Sequence, residues 1–146
     1  MSNETNFDLK NPDTYQFWVD VSMRYSDQDE LGHVNNVSYA AYIEAGRAEY
    51  LLSLFIDNKK HPNLDYLLAN LSINFIQECH WPGTIKVGCR LTAVGSKSIT
   101  SSYGVFKDGI CRATADSVNV FFDKTTRKSV TPPIDVKKHF LEELSK

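Results

Sequence analysis

The sequence predicts an α+β fold: one curled, five-stranded antiparallel sheet wrapped around one long central helix. Three observations lead there. A segment ending near residue 25 alternates apolar and polar side chains, residues 36–55 take up helical period, and strand-like runs then follow one another to about residue 122.

Over residues 16–25, Phe17, Val19, Val21, Met23 and Tyr25 alternate with Gln16, Asp20, Ser22 and Arg24, the pattern of a half-buried strand. Trp18 interrupts the polar row and predicts partial cover of the outer face. Over residues 36–55 a stripe of Val37, Ala41, Glu44, Ala48, Leu51 and Phe55, widened by Ala45 and Leu52, predicts the helix. At roughly 1.5 Å per residue it would be about 30 Å long, enough to run through a small domain. Residues 56–63 read as a loop from their Asp, Asn and Pro content.

Leu67, Ala69, Leu71, Ile73 and Phe75 then alternate with Leu68, Asn70, Ser72 and Asn74. Beyond Trp81-Pro82-Gly83, Ile85, Val87, Cys89, Leu91 and Ala93 alternate in the same way. Residues 97–106 and 110–122 are less regular strands joined by the hairpin signal Lys107-Asp108-Gly109. The expected order is strand, long helix, then four strands in hairpin succession. The helix stripe is buried only if the sheet curls around it.

A chain of 146 residues that is 42% hydrophobic and 23% charged suits one domain with one core. We therefore expect a single domain over residues 1–146, with a polar N-terminal segment at 1–15 and a tail or short helix at 134–146. The net charge of -2 is spread along the chain, which argues against nucleic acid as a partner. Cys79, Cys89 and Cys111 lack the spacing of a disulfide framework or a four-ligand zinc site, so no metal is expected. Residues 1–15 are unlike a signal peptide, and no apolar run is long enough to span a membrane. A cytoplasmic location without membrane partners is the expectation.

Charge and amide groups concentrate in Arg24 to Asn36, "RYSDQDELGHVNN", between the first strand and the helix. The first N–H groups of a helix have no intrahelical partners, and with the macrodipole they carry roughly +0.5 of an elementary charge. Asn35 or Asn36 is the expected N-cap. Such N–H groups stabilise the oxyanion formed when a carbonyl is attacked, and Asp27 or Asp29 would supply the attacking or basic oxygen. Caps and turn formers of purely structural use have the same composition.

"DQDELGHVNNVSYAAYIEAGR" resembles the strand-to-helix motif of the hotdog-fold acyl-CoA thioesterases, specifically the 4-hydroxybenzoyl-CoA thioesterase-like group. The second half, from "LSINFIQECHWPG" to "KSVTPP", is similar to the same group, so the resemblance covers about residues 16–133. It implies a hotdog fold and hydrolysis of an acyl-CoA thioester to a carboxylic acid and free coenzyme A, with no metal or redox cofactor. It makes Asp29 the catalytic carboxylate, as nucleophile or general base, and places the backbone N–H near Asn36 against the thioester oxygen. Gly32 would allow the tight turn between them. His33 is a further catalytic candidate or else a structural hydrogen-bonding group; the asparagine that accompanies it in plant acyl carrier protein thioesterases is replaced here by Leu31. Asp27 is assigned to the turn.

For the coenzyme, the resemblance points to Lys97 and Ser98 in the Gly-x-Lys-Ser run, with Arg90 and Arg112 on neighbouring strands. Tyr39 and Tyr42, off the apolar stripe, line an acyl slot, a subunit contact or ordinary packing. Glu44, on the stripe, needs a partner: either it forms a buried ion pair with Arg47 three residues on, or it faces the active site as a second carboxylate, as the helix glutamate of another hotdog thioesterase branch does. The resemblance also implies a homodimer or homotetramer, with sheets joined edge to edge and the active site where subunits meet. Two rival readings are a non-catalytic acyl-CoA-binding sensor and a hotdog hydratase or dehydratase, the second lacking its Asp-x-Asn-Pro-x-His run.

Overall fold

Period-two sequence gives strands and helical period gives the long helix in the computed structural model of the chain, which describes residues 3–4, 6–54 and 59–146. In chain order the elements are β1 (Asn3–Glu4), β2 (Phe17–Ser22), α1 (Asn36–Leu54), β3 (Leu64–Phe75), β4 (Thr84–Val94), β5 (Ser98–Lys107), β6 (Ile110–Asp123) and α2 (Ile134–Leu144). The expected helix end at Phe55 and the first loop residues, Ile56 to Asn58, lie outside the described residues.

The strands form one antiparallel sheet in the order β2-β4-β5-β6-β3, with two-residue β1 beside the far end of β4. The five long strands and the central helix make the hotdog architecture that the sequence suggested. Hairpin succession fails at one point: β3 pairs with β6, not with β4. The cause lies in residues 76–83, which are too long for a hairpin turn and are held from both sides. Ile76 and Gln77 donate to Arg112 O on β6, while Gly83 O accepts from Met23 N beyond β2. This segment crosses to the opposite edge before β4 begins. The β5–β6 hairpin forms as read, with Asp108 and Gly109 both at positive φ (53° and 76°), the conformation a two-residue loop needs.

In β3 a bulge between Leu68 and Asn70 breaks the single alternation expected there. Leu71 and Ile73 face inward, opposite Ser117 and Ala115, but Leu67 pairs with outward-facing Val120.

Apart from Leu51, which is buried as expected, the helix buries a different face from the one its sequence suggested. Tyr39, Tyr42, Ile43, Gly46, Arg47, Tyr50, Leu51 and Leu54 are buried, whereas Val37, Ala41, Glu44, Ala48 and Leu52 are exposed. Tyrosine is the reason. Its ring joins the core while its hydroxyl finds a partner: Tyr42 donates to Asp27, and Tyr50 donates to Glu143 while accepting from Leu91 N. Gly46 marks the closest approach to the sheet, since a Cβ there would lie 2.6 Å from Val87 Cγ1. α1 rests on β2, β4 and β5, and its buried side chains share one core cluster with Ile85, Val87, Leu91 and Tyr103. α2 caps the end of the core through Phe140 on Phe121.

Ahead of β2, Tyr15 lies across the outer face of the sheet against Gly88 and Gly104, with its hydroxyl donating to Leu9 O. Trp18 stacks edge-on against Tyr15 and Phe106, which explains an apolar residue in the outer row.

Candidate active site

The segment between β2 and α1 is built from two aspartates with separate tasks. Asp27, 1% exposed, accepts from the Arg24 N–H at 2.9 Å, from Arg24 Nε at 3.1 Å and from the Tyr42 hydroxyl at 2.7 Å. Its own carbonyl accepts from Asn35 N and Ser38 Oγ. Burial pushes its pKa up, but the Arg24 N–H, the Tyr42 hydroxyl and the Arg24 guanidinium outweigh burial and hold it below the ordinary value. Asp27 thus fastens the turn to the helix.

Asp29 is about one-third exposed and is held by its own turn. Its Oδ1 accepts from Leu31 N at 2.9 Å and His33 N at 3.4 Å, and its Oδ2 lies 3.3 Å from His33 Nδ1. Gly32, at φ +83°, closes this loop with N–H to Asp29 O. Desolvation is the largest single influence and raises the Asp29 pKa; the Leu31 and His33 N–H groups and the His33 ring together overcome it, and the carboxyl stays below its usual range. It is ionised at neutral pH.

Of the two expected caps, Asn35 is the one that acts, accepting from Val37 N at 3.1 Å. The N–H of Asn36, the first helical residue, has no hydrogen-bond partner among the described residues. Asp29, His33, Asn36 and Tyr39 all line one cleft of about 380 Å³. Its opposite wall is the start of the crossing segment: Phe75, Gln77, Glu78 and Cys79. Tyr39 holds that wall through a ring contact with Phe75 at 5.2 Å, and Val34 N donates to Cys79 O at 2.8 Å. Burial pushes the Tyr39 hydroxyl up to about 12, so it remains protonated.

Two groups in this region escaped sequence reasoning. Glu78 lies 3.9 Å from His33 Nε2 and 3.4 Å from His80 Nε2, and His80 Nδ1 donates to Gly32 O at 3.0 Å. Nothing in their spacing links them to the motif, because the crossing segment brings them there. Among the described residues no group of three or more His, Cys, Asp or Glu side chains is placed to hold a metal ion.

The residues expected at the coenzyme lie outside this cleft. Lys97 is exposed in the β4–β5 turn, and Ser98 lines a separate cleft of about 500 Å³ with Thr92, Ser102 and Asp116. Arg90 is engaged elsewhere: it donates to Thr14 O and Lys146 O and covers the Phe7 ring at 3.8 Å, tying both ends of the chain to β4. Arg112 likewise donates to Glu78 O and Lys107 O. Glu44, expected in a buried pair, is 74% exposed and only 3.7 Å from Arg47 Nη2.

A sheet curled on one helix, with a carboxylate-bearing turn at the helix mouth, is the arrangement of a hotdog-fold thioesterase. The chain belongs to the thioesterase-like superfamily, whose family model matches residues 23–140. It is 28% identical over 92 residues to the uncharacterized protein YsmA of Bacillus subtilis (strain 168), an alignment covering 62% of this chain and 60% of that protein. A predicted thioesterase from Bacillus stearothermophilus shares the fold at a TM-score of 0.78 and 23% identity, over 88% of this chain and 96% of that one. So does a thioesterase of Thermus thermophilus in complex with coenzyme A and zinc, at 0.78 and 21%, over 90% and 96%.

Proposed function

We propose that the protein hydrolyses acyl-CoA thioesters, with Asp29 as the reacting carboxylate and the Asn36 N–H as oxyanion donor. The observation that carries this reading is that both line one cleft, which brings together an ionised carboxylate and a helix N–H that has no partner among the described residues. A thioester carbonyl seated against that N–H would have its developing negative charge stabilised by a donor already in place. Asp29 either attacks the carbonyl, giving a mixed anhydride that water then cleaves, or takes a proton from the attacking water; thiolate leaves in both cases. His33 orients Asp29 through Nδ1.

The site is completed in a homodimer. β3 is an edge strand, and Leu67, Leu68, Phe75 and Ile76 leave large apolar area exposed along it. Phe75 belongs both to that edge and to the cleft, so a second copy pairing there would wall the site. Lys97 and Ser98 remain candidates for the coenzyme phosphates, offered from a partner chain. Thiol release from a panel of acyl-CoAs, short to long and aromatic, tests the reading. Turnover of at least one class is expected; binding without thiol release from any would replace it with the sensor reading.

A further inference from the structure

The wall segment that carries Glu78 and His80 is gripped through its backbone by several elements at once. Gln77 O accepts from the Tyr39 hydroxyl of α1 at 3.4 Å, and Glu78 O from Arg112 Nη1 of β6 at 2.8 Å. Cys79 O accepts from Val34 N of the motif at 2.8 Å, and His80 O from Lys107 Nζ at the end of β5 at 2.7 Å. The Glu78 side chain is 70% exposed, yet its backbone is fixed against the motif.

Glu78, His33 and Asp29 line the same cleft, and His33 stands between the two carboxylates. Its Nδ1 is 3.3 Å from Asp29 Oδ2 and its Nε2 is 3.9 Å from Glu78 Oε1. Carboxylate oxygens only accept, so each ring nitrogen serves its neighbour as a donor, and both contacts are made at once only by the imidazolium. The other Glu78 oxygen lies 3.4 Å from His80 Nε2, and His80 Nδ1 donates to Gly32 O, so Glu78 is steadied from the motif loop itself. Catalytic contacts are often long in a free enzyme and tighten once substrate fills the site. The neighbouring cations Arg112 and Lys107 are committed to backbone carbonyls, and burial keeps the Tyr39 hydroxyl and the Cys79 thiol protonated.

We propose that Glu78 sets the tautomer of His33 and thereby makes His33 Nδ1 the base that frees the product acid from Asp29. This rests on the acyl-CoA hydrolase reading in its direct-attack form and supplies the second half of its cycle. Asp29 Oδ2 bonds to the thioester carbon and the carbon–sulfur bond breaks, giving a mixed anhydride in which Asp29 has lost its charge. The Nδ1 proton, now without an anionic acceptor, passes to the departing sulfur, and coenzyme A leaves as the thiol. The remaining ring proton stays on Nε2 against Glu78, so the Nδ1 lone pair faces the anhydride. Water adds its oxygen to the acyl carbon and gives one proton to Nδ1. The bond from that carbon to Oδ2 breaks, returning the Asp29 carboxylate, the imidazolium and the free acid. Glu78 is a positioning residue, acting through His33, and His80 in turn positions Glu78. In Glu78→Gln the new amide N–H donates to Nε2, the single ring proton stays on Nδ1, and the base is lost at the step that needs it.

The test uses the full chain and the acyl-CoA turned over best, with steady-state rates and the first-turnover release of thiol measured for wild type and Glu78→Gln. The ratio kcat/KM covers only the steps up to thiol release, whereas kcat includes cleavage of the anhydride. Glu78→Gln is therefore expected to lower kcat and KM together by roughly tenfold or more and to leave kcat/KM within about threefold. A burst of about one thiol per site is expected to precede the slow phase. The Tm is expected to stay close to that of wild type, because the side chain is mostly solvated. An unchanged kcat overturns the assignment, as does a kcat/KM that falls as far as kcat with no burst, and both leave the hydrolase reading standing. Thiol release from no acyl-CoA by the wild type overturns both.

Discussion

Removing one hydroxyl, Tyr42→Phe, separates the fastening of the motif from its chemistry. The Tyr42 hydroxyl donates to Asp27 at 2.7 Å, and the acceptor is 1% exposed. A buried hydrogen bond to a charged group contributes about 1.5–3 kcal/mol. Because the phenyl ring keeps its packing, no cavity term is added. A loss of about 2 kcal/mol corresponds to a Tm fall of roughly 4–8 °C for a chain of this size. Urea denaturation and thermal melting at fixed protein concentration measure it. The loss also has a pH signature. The folded Asp27 pKa is depressed, so its stabilisation is complete above the ordinary aspartate value and fades as pH falls through the folded value. The gap between wild type and Tyr42→Phe is therefore constant near neutrality and closes in acid. A Tyr42→Phe variant as stable as wild type at pH 7, or a gap that persists unchanged in acid, would refute the assignment of Asp27 as the buried fastener.

Gly46→Ala forces a methyl group to within 2.6 Å of Val87 Cγ1 and is expected to destabilise by about 1–3 kcal/mol, read by urea titration. Glu44→Gln, at a mostly solvated carboxylate, is expected to shift stability by less than about 0.5 kcal/mol; a larger loss would restore the buried pair. Asn35→Ala removes the helix cap and is expected to cost about 1 kcal/mol by the same measurement. Since the Asp29 pKa is lowered and the carboxylate is the reacting form, the acid limb of kcat is expected to fall below the ordinary aspartate value; a limb well above it would name another group.

Local periodicity told where elements lie, and chain-distant events decided how they assemble. β2, β4 and the β5–β6 hairpin were legible because alternation and Asp108-Gly109 act over a few residues. The burial phase of α1 was misread because Tyr39, Tyr42 and Tyr50 count as polar in a hydropathy stripe, while their rings fill the core and their hydroxyls find partners more than ten residues away. The bulge near Ala69 and the crossing of residues 76–83 leave no periodic mark. The same split holds at the candidate site. Asp29, His33 and Asn36 are contiguous in the motif and line one cleft, but its far wall, with Phe75 and Glu78, arrives through topology. Arg90 looked available because a sequence does not show that Thr14 and Lys146 would occupy it.

The chemistry assigned to Asp29 is tested most directly by kcat for thiol release from the best acyl-CoA, measured for wild type and Asp29→Asn with the Tm of each. The account predicts a fall of at least a hundredfold with a nearly unchanged Tm, because Asn keeps an oxygen for the Leu31 and His33 N–H groups while removing the charge. A well-folded Asp29→Asn protein that turns over at close to the wild-type rate would contradict it.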